Sequence, residues 1–156
     1  MDEYDRPREQ FDSALELDPD RLPSLNGRAL VHMELEEWDL ARTDLSRVIQ
    51  IDPENSSAYA MRAEIGIYVG TANAAKRDIE KAREIDPKDP DHALFHARLL
   101  TALGSPMVAL DVLEETLIEE ESSLEALLLR AQLHIMAGNM DRARKDAIRA
   151  SKNYPN

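Results

Sequence analysis

Two histidines, His92 and His96, stand four residues apart in HALFH, a spacing that lets one helix face present two imidazoles to a metal ion. A catalytic zinc site would also need a third ligand and a general base. No third ligand is evident, and Ala93 occupies the place where the general-base glutamate would stand. The pair is therefore expected to be structural, His92 exposed and His96 packed. His32 and His134 are likewise expected to pack, because no nucleophile accompanies them. The sequence has no cysteine, which excludes thiol catalysis, thiolate metal sites and disulfides and suits a reducing compartment. It has no glycine-rich phosphate loop and no nucleophile elbow, and its carboxylates are dispersed rather than paired. This gives no catalytic residue, no cofactor and no metal, and the chain is read as not an enzyme.

Arginines and aspartates form the more regular pattern. Arg28, Arg62 and Arg130 are each followed sixteen residues later by Asp44, Asp78 and Asp146. The equivalent fourth place has His96 and Val112, so the arginine and the aspartate are lost together. That covariation within one chain reads as a structural ion pair joining two helices. A row of arginines recruiting acidic ligands is the competing reading, but a matched carboxylate in each copy would already occupy the guanidinium.

These pairs sit inside a longer period. Pro19, Pro53 and Pro87 are spaced by 34 residues, Pro155 falls two periods further on, and Glu121 takes the missing beat. Three of the prolines close the strings LELDP, IQIDP and REIDP, where an apolar-acidic helix is stopped by a residue that cannot continue it. Ala29, Ala63, Ala97 and Ala131 keep the same period, as do Ala41, Ala75, Ala109 and Ala143. Small residues in both sets predict two helices per repeat that approach closely. Between the sets lie Gly70-Thr71, Gly104-Ser105 and Gly138-Asn139, which predict a left-handed turn followed by a side-chain helix cap. The first copy has Glu36-Glu37-Trp38 there and is expected to be strained or different. Gly66, inside a helix, is expected to soften the second repeat by about 1 kcal/mol relative to alanine.

In these features the chain resembles the tetratricopeptide repeat family. The resemblance implies an all-α, right-handed superhelical solenoid of antiparallel helix pairs, spanning residues 1–156 as one domain. Residues 1–21 form a half repeat containing only helix B, and full repeats follow at 22–55, 56–89, 90–123 and 124–156. It also implies a concave wall made by the first helix of each pair. Transferring the family's inward-facing slots gives Asn26, Leu30, Met33 and Glu34; Ala60, Glu64, Ile67 and Tyr68; Leu94, Arg98, Thr101 and Ala102; and Leu128, Gln132, Ile135 and Met136, with Met61 and Phe95 beside them. The lysine and asparagine clamp by which some members hold a terminal carboxylate is missing, and Glu34 and Glu64 have the wrong sign for it. An apolar or mildly basic protein segment is the expected ligand. The third repeat departs most, with Phe95, Arg98, Pro106 in its turn and IEEESS in place of the closing proline, where fraying is expected.

Composition agrees with this reading. Strong helix formers dominate, aromatics are only 4%, and 31 acidic against 19 basic residues give a net charge of −12, which repels a phosphate backbone and disfavours nucleic acid as a partner. No run reaches transmembrane length and the acidic start is unlike a signal peptide, so no membrane role is expected and cytoplasm is the default. The leading functional expectation is an adaptor, scaffold or co-chaperone-like module that holds a peptide or helix of a partner in an apolar groove. The alternative is an architectural array that self-associates through its ends or convex face into an end-to-end homo-oligomer.

Overall fold

A computed structural model of the chain describes residues 4–116 and 123–154. Among the described residues there are nine α-helices and no strand, grouped in two compact units, residues 1–85 and 86–156. The first unit comprises α1 (Asp5–Leu17), α2 (Leu22–Glu34), α3 (Trp38–Ile51), α4 (Ser56–Tyr68) and α5 (Ala72–Ile85). The second comprises α6 (Pro90–Ala102), α7 (Pro106–Thr116), α8 (Leu124–Met136) and α9 (Met140–Asn153). Helices α2 and α3, α4 and α5, α6 and α7, and α8 and α9 form tight pairs. Pro155 and residues 118–122 of the IEEESS string lie outside the described residues.

Each pair turns the same way. Gly70, Gly104 and Gly138 have φ of +74°, +75° and +75°, and Glu36 takes the equivalent place with φ +57°. The next backbone N–H reaches five residues back in every copy: Glu37 to the His32 carbonyl at 2.8 Å, Thr71 to Gly66 at 2.9 Å, Ser105 to Leu100 at 2.8 Å and Asn139 to His134 at 2.8 Å. This is the hydrogen bond of a Schellman motif, which needs the left-handed residue just before its donor. The first turn therefore has the same conformation as the others but imposes it on a residue with a Cβ, at a cost of about 1–2 kcal/mol.

The expected cap from Asn139 is absent, since its side chain makes no capping bond to α9. Side-chain caps form at the other end of the repeat. Asn55, Asp89 and Ser123 accept from the backbone N–H groups of Ala58, Asp91 and Ala126 at the starts of α4, α6 and α8. These three positions keep the 34-residue period, and their first counterpart is Arg21, which begins α2 with no side-chain cap.

The eight periodic alanines are all buried. In the first unit Leu15, Leu25, Ala29, Ala41, Leu45, Val48, Ala58 and Ile65 form the core, with Trp38, Met33 and Met61 packed against it. In the second, Ala93, Leu94, Ala97, Ala109, Leu110, Val112, Leu113, Ala126 and Leu133 do so. Val112, standing where other copies have the aspartate, simply joins this apolar core.

Two glycines owe their identity to close approach rather than to backbone conformation. A Cβ on Gly66 would lie 2.7 Å from the Ala75 Cβ, so this glycine lets α4 meet α5 closely. Close packing is thus a reason for the glycine that stands beside the propensity cost expected of it in a helix interior. A Cβ on Gly27 would lie 2.3 Å from the tip of the Phe11 ring. Later copies have Met61, Phe95 and Leu129 at the Gly27 position and Leu45, Ile79 and Leu113 at the Phe11 position. The first repeat therefore exchanges volume between facing positions, a larger residue on α1 against none on α2.

Candidate protein-binding site

Each arginine of the periodic pairs donates a fork of two hydrogen bonds to its aspartate. In Arg28 the Nε donates to Asp44 Oδ2 at 2.8 Å and an Nη to Oδ1 at 2.7 Å. In Arg62 the two bonds to Asp78 are both 2.8 Å. In Arg130 the bonds to Asp146 are 2.9 and 2.7 Å, and both residues are buried. The hydrogen bonds from Asp44 and Asp78 are the main reason that the Arg28 and Arg62 guanidinium groups are held above their ordinary pKa, against the opposing effect of burial. A further donor reaches backward by the same spacing of sixteen, Arg28 to Asp12 Oδ1 at 2.8 Å and Arg62 to the Ser46 hydroxyl at 3.1 Å. One guanidinium thus ties three helices, α1 to α3 in one case and α3 to α5 in the other. The backward partners are not among the sequence expectations, although they stand at the same spacing.

The buried histidines join these carboxylates. His32 Nε2 lies 3.9 Å from Asp44 Oδ2, and His134 Nε2 lies 3.9 Å from Asp146 Oδ2. His32 Nδ1 is hydrogen-bonded to Glu37 Oε2 at 2.6 Å. Contrary to the expectation of exposure, His92 is buried, with Nδ1 3.2 Å from the Asp86 carbonyl and Nε2 3.6 Å from Asp89 Oδ2. Its periodic counterparts, Ser24, Ala58 and Ala126, are also buried, so the position faces inward in every copy. His96 is half-buried. Among the described residues no group of three or more histidine, cysteine, aspartate or glutamate side chains could hold a metal ion.

The inward-facing slots fall into distinct groups. Ala60 and Leu94 are buried, Leu94 within the core of the second unit, and are therefore not available to a ligand. Met33 and Met61 are half-buried against the first core. Asn26, Glu64, Ile67, Phe95, Arg98 and Thr101 are half-buried, and an Nη of Arg98 lies 3.3 Å from Glu125 Oε1. Leu30, Glu34 and Tyr68 are exposed in the first unit, and Ala102, Leu128, Gln132, Ile135 and Met136 in the second. On α8, Leu124, Leu128 and Ile135 share one helical face and are 40%, 52% and 54% exposed, and Met136, 58% exposed, lies to one side of them.

In the first unit a cleft is lined by Met33, Glu34, Glu36, Trp38, Glu64 and Tyr68. Trp38 and Tyr68 are stacked there, with ring centroids 4.8 Å apart and planes 5° from parallel. Trp38 and Glu36 are absent from the expected site residues because they lie at the start of helix B and in the turn before it, outside the transferred slots.

A family profile described as tetratricopeptide repeat matches residues 94–156. No curated protein matches the chain in sequence. Its fold is similar to that of TTC0263 from Thermus thermophilus, a thermophilic tetratricopeptide repeat protein, at 20% identity and a TM-score of 0.85, covering 97% of this chain and 84% of that one. MamA is similar at 17% identity and a TM-score of 0.74, covering 97% and 94%. YrrB, described as a tetratricopeptide repeat protein with an unusual peptide-binding site, is similar at 18% identity and a TM-score of 0.67, covering 99% and 79%. These likenesses identify an all-α repeat fold. Among the described residues no helix is long and apolar enough to cross a membrane.

Proposed function

We propose that this chain is an adaptor or scaffold module that binds an extended or helical segment of a partner protein on the first helices of its repeats. The observation that carries this reading is on α8, where Leu124, Leu128 and Ile135 share one face and Met136 lies to one side of it, each at least 40% exposed. A helix that only supported the fold would bury that face or make it polar. Leu30 and Tyr68 add exposed apolar surface in the first unit, and methionine gives the α8 face adaptable contacts. The many carboxylates favour a segment that is apolar or mildly basic. Binding, not catalysis, is the role assigned. The test is a peptide array probed with the wild-type chain and with Leu128→Glu, Met136→Glu and, on α9, Ile148→Glu. All three keep the helical circular dichroism spectrum; loss of binding in the first two but not in Ile148→Glu is expected. Equal binding by all three would overturn the reading.

Self-association is a second reading, favoured by the distribution of charge. Helix α9 carries Arg142, Arg144, Lys145, Arg149 and Lys152 against Asp141 and Asp146, whereas α1 carries Asp5, Glu9, Asp12 and Glu16 against Arg6 and Arg8. Met140 and Ile148 are exposed on the basic helix. A second copy would bring its α1 against α9, and sedimentation would then show an assembly at low salt that dissociates at high salt and in Arg144→Glu. A monomer at every salt concentration excludes it.

A further inference from the structure

Arg28 and Arg62 hold the same place in successive repeats, but different charges surround them. Arg28 donates to two carboxylates, Asp44 and Asp12. Arg62 donates to one, Asp78, and its backward bond goes to the neutral Ser46 hydroxyl at 3.1 Å. The residues sixteen before Arg28, His96 and Arg130 are Asp12, Glu80 and Glu114, so Arg62 alone lacks a carboxylate at that spacing. Around Arg62 lies a cleft of about 310 Å³, whose charged lining is Arg42, Arg62, Arg77 and Asp78. Three guanidinium groups there meet one carboxylate, and both oxygens of that carboxylate are taken by the Arg62 fork. Arg42 is paired with Asp39, which stands outside the lining with its side chain 88% exposed. Among the described residues Arg77 forms no ion pair, and it is exposed. Thr71 adds a hydroxyl, and Gly66 adds no side chain where other repeats have His32, Leu100 and His134.

We infer that this cleft binds a phosphate group, as free phosphate or as a phosphomonoester, beside Arg62 where the Asp12 carboxylate stands beside Arg28. The sign of the ligand follows from the lining, an excess of arginine within a chain of net charge −12. Its shape follows from the donors. A carboxylate is satisfied by a single guanidinium fork, as Asp78 is, whereas the terminal oxygens of a phosphate accept from several donors at once, here Arg42, Arg77 and the Thr71 hydroxyl. None of the lining residues is an inward-facing slot of the first helices, so the site is independent of the surface proposed above for a partner segment.

The chain, labelled with nitrogen-15, is titrated with sodium phosphate at an ionic strength held constant with chloride, and the Thr71 amide and Arg77 Nε–H resonances are followed by NMR. Saturable shifts at both are expected. Read at Thr71, the affinity should fall about tenfold in Arg77→Gln and stay unchanged in Arg144→Gln, an exposed arginine of α9 outside the cleft. Ser46→Asp gives Arg62 the second carboxylate that Arg28 has, and it should abolish the shifts. Shifts that do not saturate, equal weakening in Arg77→Gln and Arg144→Gln, or undiminished binding in Ser46→Asp would each overturn the inference. So would sodium acetate binding as tightly as phosphate. N-acetyl-phosphoserine methylamide then separates the sources: if it binds more tightly than inorganic phosphate, the site takes a phosphorylated side chain, and if less tightly, the free ion. Either result supports the site.

Discussion

Arg130 and Asp146 are both buried and joined by two hydrogen bonds, whereas Asp12, which also bonds to Arg28, has a side chain 48% exposed. Breaking a buried pair leaves an uncompensated charge in a low-dielectric site, while an exposed partner is replaced by water. Asp146→Ala should therefore destabilise the fold by about 3–5 kcal/mol, and Asp12→Ala by less than about 1 kcal/mol, as measured by urea denaturation. Equal shifts would mean that both carboxylates are effectively solvated. At Glu36 the sign reverses. Its φ of +57° is a conformation that glycine adopts freely, and Glu36→Gly should stabilise the chain by about 1 kcal/mol in the same measurement. The spacing of sixteen indicates which arginine faces which aspartate. It does not indicate that Arg28 and Arg62 also bond backward, because Asp12 and Ser46 differ in type and hide their shared position.

The helices show how neighbouring residues compensate one another. Phe11 on α1 fills the space above Gly27 on α2, so Gly27→Ala alone must displace the ring and should cost about 1–3 kcal/mol. Phe11→Leu in the same chain should recover part of that loss, and a double-mutant cycle would measure the coupling; additive effects would show that the two sites are independent. The start of α2 offers a second test. Arg21 stands where Asn55, Asp89 and Ser123 cap the later helices, and Arg21→Asp should raise stability by about 1 kcal/mol in thermal unfolding. Helix positions and turns are legible in the sequence because Pro, Gly and Ala recur at fixed intervals. The caps keep the same interval but are harder to see, since Asn, Asp and Ser differ in type and Arg21 breaks the series.

For the molecule as a whole, 31 acidic and 19 basic residues set the field that an approaching ligand meets. Association with a lysine-bearing peptide should accelerate as salt is lowered and association with a glutamate-bearing peptide should slow, both readable by stopped-flow anisotropy. Rates independent of salt for both peptides would show that the local charge at the binding surface differs from the overall balance. The inward-facing slots form one set in the sequence, but the folded chain divides them: Ala60 and Leu94 serve the interior, whereas Leu128, Ile135 and Met136 face outward. A slot number fixes an angle around a helix axis. Exposure depends on what the neighbouring helices bring to that angle, and this changes with each copy.

The repeat period, the helix pairs and the matching of Arg28, Arg62 and Arg130 to particular aspartates can all be read from the order of residues. Those are properties of spacing, and spacing is carried by the chain directly. Other features emerge on folding: Glu36 copies a glycine turn, His92 lies in the interior, Gly27 and Gly66 are points of close approach, and Trp38 and Tyr68 stack in one cleft. Each of these depends on backbone angles or on distances between side chains of different helices, which periodicity alone does not encode.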